Sequence, residues 1–236
     1  MRQTRPMTGQ RDLNKARRRD AILDAALSLL DQRPSDEVST EEIAALAGVA
    51  PATVYNLVGT RDDLVHALVG RVLTELGDSL SALDPADPIA GAVLIIEQTV
   101  AVFVADSAAF RQVVAIGQRG LARRGESLDP SRFQVTAMRQ AQVLGILRDD
   151  IDAAGLARQI FLSYTGAITR WSAGHLDDEG FRTAARSGLF TALAAAATDD
   201  HRPTFLARLR TLAAELETDA WHRRVDDTRR GPRQHD

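Results

Sequence analysis

Arg17-Arg18-Arg19, Thr40, Thr53-Val54-Tyr55-Asn56 and Arg61 place hydrogen-bonding groups at intervals through the first part of the chain. Guanidinium groups pair with phosphate oxygens without reading sequence, and hydroxyl or phenol groups donate to the same oxygens. An asparagine amide donates and accepts at once, which is what a base edge in the major groove requires. Pro51 and Ala52, beside them, are small enough to let a second surface come close. These residue types suit recognition of a nucleic acid through hydrogen bonds rather than bond-breaking.

The residues between them must build the support. Ser39 followed by Glu42 is a capping box, each side chain satisfying a backbone donor at a helix start, and Ile43, Ala44, Leu46 and Ala47 are expected to face inward. Gly48 supplies the positive φ that ends this two-turn helix, Val49 anchors the turn, and Pro51 sits well at the first position of the next helix, which runs through Leu57. Thr60 and Asp63 form a second capping pair that starts a long helix over Arg61 to Leu83, about 34 Å by its rise per residue. An amphipathic helix precedes the unit, with Ile22, Ala25, Ala26, Leu29 and Leu30 at helical spacing, and ends before Pro34. Helices of two turns are unstable alone, so these elements must share a small core.

The same periodicity continues along the 236-residue chain, predicting helices at Ile89 to Ala105, Ala108 to Gln118, Ser131 to Leu144, Asp152 to Ala173, Asp178 to Ala197 and Pro203 to Trp221, with no strand. The expected fold is all-α: a three-helix helix-turn-helix head joined by the long helix to a C-terminal helical bundle. The expected divisions are a basic flexible arm at 1–14, the head at 15–60, the helical body at 61–221 and a disordered tail at 222–236. No internal repeat appears.

Composition closes several classes of chemistry. With no cysteine there is no disulfide framework and no thiolate site. The five histidines, His66, His175, His201, His222 and His235, are scattered without metal-ligand spacing. The acid pairs Asp149-Asp150 and Asp177-Asp178 precede helices, where carboxylates cap and meet the macrodipole. No glycine-rich phosphate loop follows a strand. The expectation is a protein that is not an enzyme and holds no cofactor or metal. No secretory pattern opens the chain, and no apolar run reaches the roughly 20 residues of a membrane span; a cytoplasmic protein that does not engage a membrane is expected. The formal charge of −3 hides seven basic residues against one acid in Met1 to Arg19. Met1 to Gly70 as a whole carries nine basic and ten acidic residues, so any positive face must come from arrangement.

The stretch "STEEIAALAGVAPATVYNLVGTRDDL", Ser39 to Leu64, resembles the helix-turn-helix of the tetracycline-repressor (TetR) family of transcriptional regulators. Thr40, Ile43, Ala44, Ala47, Gly48, Val49, Thr53, Tyr55, Arg61 and Leu64 match the family's pattern. The pattern is a threonine-led helix with Ile-Ala and Ala-Gly-Val, then Thr-x-Tyr in the recognition helix and a basic residue opening the long helix. Ala50 and Val58 stand where many members have Ser and an aromatic, and Arg61 supplies the basic residue where many have Lys. The missing hydroxyl at Ala50 removes a helix cap worth about 1 kcal/mol. The resemblance implies a homodimeric, ligand-responsive regulator, a repressor released from a palindromic double-stranded DNA operator by a small apolar or amphipathic effector. Pro51, Ala52, Thr53 and Asn56 would enter the major groove, with Thr53 and Asn56 reading bases. Thr40, Tyr55 and Arg61 would contact the backbone, and Arg17, Arg18 and Arg19 would contact phosphates or the minor groove. The alternative is a helical carrier whose head does not bind DNA.

The C-terminal half carries two further expectations. Ala184, Gly188, Ala192 and Ala196 fall four apart and, with Gly166 in the preceding helix, make a small-residue strip that another helix can approach closely; the resemblance implies a four-helix dimer interface there. Phe103, Phe110, Met138, Phe161, Tyr164 and Trp171 are spaced like core, and the resemblance implies an effector pocket among them, with Gln142, Gln112 or Arg170 as polar contacts.

Overall fold

The computed structural model describes residues 8–80, 87–124 and 131–218. Trp221 and the expected tail lie outside the described residues, as do Arg2, Arg5 and Leu83. The described residues form ten α-helices: α1 Thr8–Gln32, α2 Thr40–Leu46, α3 Pro51–Leu57, α4 Arg61–Leu80, α5 Pro88–Ala105, α6 Ser107–Arg124, α7 Ser131–Val143, α8 Ala153–Ser172, α9 Asp178–Ala196 and α10 Arg202–Thr218. A 3-10 turn at Ser35–Glu37 links α1 to α2. An isolated antiparallel bridge joins Leu147 to Ala197.

Two differences from the sequence expectation concern the boundaries. α1 begins at Thr8, inside the expected flexible arm. Its C-terminal half is nailed to the core by Ile22, Leu23 and Ala26, and once a helix is nucleated each added residue gains a hydrogen bond, so the helix extends into the polar segment. The chain also divides into two compact units elsewhere than after Thr60. Of the described residues, the first unit contains 8–71 and 106–124, the second 72–80, 87–105 and 131–218. The first eleven residues of α4 and all of α6 therefore belong with the helix-turn-helix, not with the rest of the expected body.

Within the first unit, α1 packs on α2, α3 and α6. Leu30, Ile43, Val54, Leu64 and Leu68 are all buried there. Gln112 of α6 donates its amide to the carbonyls of Leu30 at 2.6 Å and Arg33 at 3.1 Å. Those carbonyls stand at the end of α1, where helical partners run out, so Gln112 caps α1 instead of serving a pocket. Leu46, expected inside, is 55% exposed; a helix of seven residues buries one narrow face, and Ile43 and Ala44 occupy it.

In the second unit α9 packs against α5, α8 and α10, and α7 against α5 and α8. Its centre is aromatic. Trp171 stacks on Phe181 at 5.1 Å between ring centroids and meets the edge of Phe103 at 6.4 Å. The Trp171 indole N–H donates to Asp178 Oδ1 at 2.7 Å, which satisfies the one polar atom that its burial would strand. α5 is long and apolar enough by composition to cross a membrane, a property the sequence reading did not assign to it. Here it buries Ala92, Ile95, Ile96, Val100 and Phe103. Its Glu97 pairs with both Arg182, at 3.3 Å, and Arg186 of α9.

Candidate nucleic-acid interface

The local chemistry of α2 and α3 is as spelled in the sequence. The Ser39 hydroxyl accepts the Glu42 amide N–H at 3.2 Å, and the Ser39 amide N–H donates to Glu42 Oε2 at 2.9 Å. Arg33, just beyond α1, donates to Glu42 Oε1 at 2.7 Å. The Ser39 backbone donor first, then the Arg33 guanidinium, hold the Glu42 carboxyl down at about 2. Gly48 takes φ of 66°, and the Val49 N–H returns to the Ala44 carbonyl at 2.9 Å, closing a Schellman turn. Ala50 gives α3 no side-chain cap; Pro51 starts it instead. At the start of α4 the Thr60 N–H donates to Asp63 Oδ2 at 2.8 Å and the Asp63 N–H to Thr60 Oγ1 at 3.3 Å.

This framework fixes which way α3 points. Val54 is its one buried residue, while Pro51, Ala52, Tyr55 and Asn56 are exposed and Thr53 is half-buried. Two recesses flank it within the first unit. One, about 470 Å³, is lined by Thr40, Tyr55, Thr60 and Arg61 over a floor that includes Ile43, Val54 and Leu64. The three residues expected to touch a DNA backbone thus stand on one recess although they come from three helices. The other, about 380 Å³, lies between α1 and α3 and is lined by Arg11, Asn14, Lys15, Arg18, Thr53, Asn56 and Leu57.

The second recess revises the basic cluster. Arg11, Asn14, Lys15 and Arg18 recur at three and four residues and so share one face of α1; Arg17 and Arg19 point off that face and do not line the recess. Of the three expected arginines only Arg18 stands beside Thr53 and Asn56. Arg11 and Asn14 were missed because residues 1–14 were read as an arm rather than a helix, and Lys15, the first residue of the expected head, was not singled out beside the three arginines. Their spacing was the available signal.

The expected pocket residues do not converge. Phe110 belongs to the first unit, where it is buried in α6. Phe103, Met138 and Trp171 are packed core of the second unit. Gln142 donates its amide to the carbonyls of Arg148 at 2.8 Å and Ile151 at 2.7 Å, tying down the turn after α7. Phe161 and Tyr164 do line a cavity, of about 40 Å³, together with Gln134. Among the described residues no group of three or more metal-ligating side chains occurs. Asp177 caps α9 by accepting the Gly180 N–H at 2.8 Å. α8 is capped by Asp152 rather than by Asp149 or Asp150.

The small-residue strip also divides. Ala196 is 1% exposed within the chain and is closed off. Ala184, Gly188 and Ala192 are half-buried. A Cβ on Gly188 would fall 2.1 Å from Ser163 Oγ and 2.8 Å from Ser163 Cβ, so its smallness serves the crossing of α8 with α9 inside one chain. Gly166 is exposed, and a Cβ there would meet nothing within 4 Å.

Comparison with known proteins places this geometry. The family model described as "Bacterial regulatory proteins, tetR family" matches residues 22–68. The HTH-type transcriptional regulator BetI of Brucella anthropi is 40% identical over 65 residues, which are 28% of this chain and 34% of that protein. The match thus spans about a third of the curated relative's length. Among solved structures, a TetR transcription regulator from Haloarcula marismortui is 20% identical, covers 77% of this chain and 98% of its own, and superposes with a TM-score of 0.61. SmeT, the repressor of the Stenotrophomonas maltophilia multidrug efflux pump SmeDEF, is 22% identical over 77% of this chain and 91% of its own, at a TM-score of 0.55. At these identities the likeness of the structures is one of fold.

Proposed function

We propose that the chain, whose residues 22–68 match the model of the tetR family of bacterial regulatory proteins, is a transcriptional regulator that binds a palindromic double-stranded DNA operator as a homodimer. The observation that carries this reading is the pair of recesses beside α3. Thr40, Tyr55 and Arg61 on one side and Arg11, Lys15 and Arg18 on the other bracket a helix whose outer face is small and polar. Phosphates on the two flanks of a major groove would meet these brackets, and Thr53 and Asn56 would stand over base edges. One α3 of seven residues reaches few bases, so a second copy is needed for a useful ratio of specific to non-specific binding. The exposed Gly166 of α8 and the half-buried Ala184 and Ala192 of α9 support contact between copies there.

The regulator acts as a repressor released by a small apolar or amphipathic effector. α4 is continuous from Arg61 to Leu80 and contributes residues to both compact units, so it is the element through which effector and DNA are coupled. Such coupling is reciprocal: effector and operator weaken each other's binding by the same factor.

Selection of DNA fragments by the purified protein from a random pool tests the reading. It is expected to enrich an inverted repeat with half-sites about one helical turn apart. A pool that remains random, or a selection unaffected by alanine at both Thr53 and Asn56, overturns it.

A further inference from the structure

The cavity in the second unit holds an unusual imbalance. Its walls are Ile95, Ile96 and Thr99 of α5, Ser131 and Gln134 of α7, and Ile160, Phe161 and Tyr164 of α8. Gln134 is 3% exposed and Tyr164 8%, yet Gln134 Oε1 and the Tyr164 hydroxyl find no protein partner. The other polar groups are engaged. The Gln134 amide N–H donates to the Ala92 carbonyl at 3.1 Å, the Thr99 hydroxyl donates to the Ile95 carbonyl at 2.6 Å, and Ser131 has an interaction of its own. Each unmatched buried polar atom costs stability, and both of these belong to residues that line the same small cavity.

We propose that this cavity binds the hydroxyl end of a neutral, otherwise apolar small molecule, an alcohol or phenol, through Gln134 and Tyr164. The reasoning is by elimination of charge and by counting donors. Gln134 Oε1 only accepts, so the ligand must donate to it. Burial holds the Tyr164 phenol protonated by raising its pKa well above its ordinary value, and that hydroxyl can donate in turn. A ligand hydroxyl does both at once, donating to Gln134 and accepting from Tyr164. A carboxylate has no proton for Gln134. Neither carboxylate nor ammonium finds an opposite charge, because no ionised side chain is among the residues that line the cavity. The volume of about 40 Å³ suits a hydroxyl and a few carbons, being a few times the space that one water needs. A water could satisfy the same two atoms, and a hydroxyl that displaces it reproduces its bonds while an ether cannot. Gln134 was not singled out in the sequence, where Gln112 and Gln142 were the glutamines expected at a pocket.

The inference deepens the ligand-responsive reading of the chain, but its test does not depend on DNA. Binding of 1-pentanol, butyl methyl ether and pentanoate to the full chain is measured by protein chemical-shift titration. The ether matches the alcohol in size and lacks its donor. The alcohol is expected to bind roughly ten-fold tighter than either, as loss of one buried hydrogen bond predicts. That preference is expected to vanish in Tyr164→Phe and in Gln134→Leu, and ligand-free Tyr164→Phe is expected to melt no lower than the parent. Equal binding of the three probes, no binding of any, or a preference that survives both substitutions overturns the proposal. If a substituted chain fails to fold, the discrimination among probes by the parent still decides. DNA selection on the same preparation separates the two readings. Alcohol preference without DNA binding rejects the regulator and keeps the site, whereas DNA binding without alcohol preference rejects the site alone.

Discussion

Arg33, one residue past the last turn of α1, holds Glu42 of α2 at 2.7 Å while Glu42 completes the capping box with Ser39. One carboxylate therefore fixes both the start of α2 and its angle to α1. Its depressed pKa of about 2, against 4.5 unperturbed, gives a signed pH effect. The stability it contributes is fully present above the unfolded value of 4.5 and is lost as pH falls toward 2. Glu42→Gln should flatten the fall of melting temperature across that window and leave the profile above pH 6 parallel to the parent's. Unchanged curvature between pH 4.5 and 2 would mean that Glu42 is not held as the structure has it.

The recess between α1 and α3 separates arginines that are neighbours in sequence. Arg18 lines it beside Thr53 and Asn56, and Arg17 does not. Replacing Arg18, Lys15 or Arg11 with alanine should lower the slope of log affinity against log salt by about one unit each, because one fewer phosphate is neutralised. Arg17→Ala should change it less. Equal slopes for the Arg17 and Arg18 variants would place the backbone contact elsewhere.

Base reading should behave differently from phosphate contact. Asn56→Ala is expected to relax preference at one base pair of each half-site, at a cost of roughly 1–3 kcal/mol for the original base only. Affinities for a set of singly substituted operators would show it. A uniform loss across the set would assign Asn56 to the backbone instead.

Gly188 and Gly166 look alike in sequence and differ in the fold. Gly188→Ala forces its Cβ against Ser163 and should cost about 1–3 kcal/mol of stability in a single chain; the cost should shrink when Ser163 is also made glycine. Gly166 faces open space. Gly166→Leu is therefore expected to leave helical content intact and to shift the assembly toward monomer in sedimentation. A Gly166→Leu chain that sediments like its parent would remove α8 from the contact between copies.

What the sequence alone determined is the local grammar. The Ser39–Glu42 and Thr60–Asp63 caps, the positive φ at Gly48, the proline start of α3 and the apolar period of each helix all depend on groups within a few residues of one another, so spacing suffices to specify them. The small and polar outer face of α3 follows in the same way once its one inward residue, Val54, is known. Tertiary structure decided what depends on residues far apart. That α6 caps α1 through Gln112 rests on a pairing across 82 positions, and that Arg18 rather than Arg17 stands beside Asn56 depends on how α1 crosses α3. Aromatic residues at core spacing do not say whether they will fill a space or line one. Trp171 and Phe181 closed theirs by stacking, while Gln134 and Tyr164, which line a small cavity, each keep a buried polar atom without a protein partner. Whether a buried group finds a partner is settled by the packing of three helices at once, and no stretch of sequence contains all three.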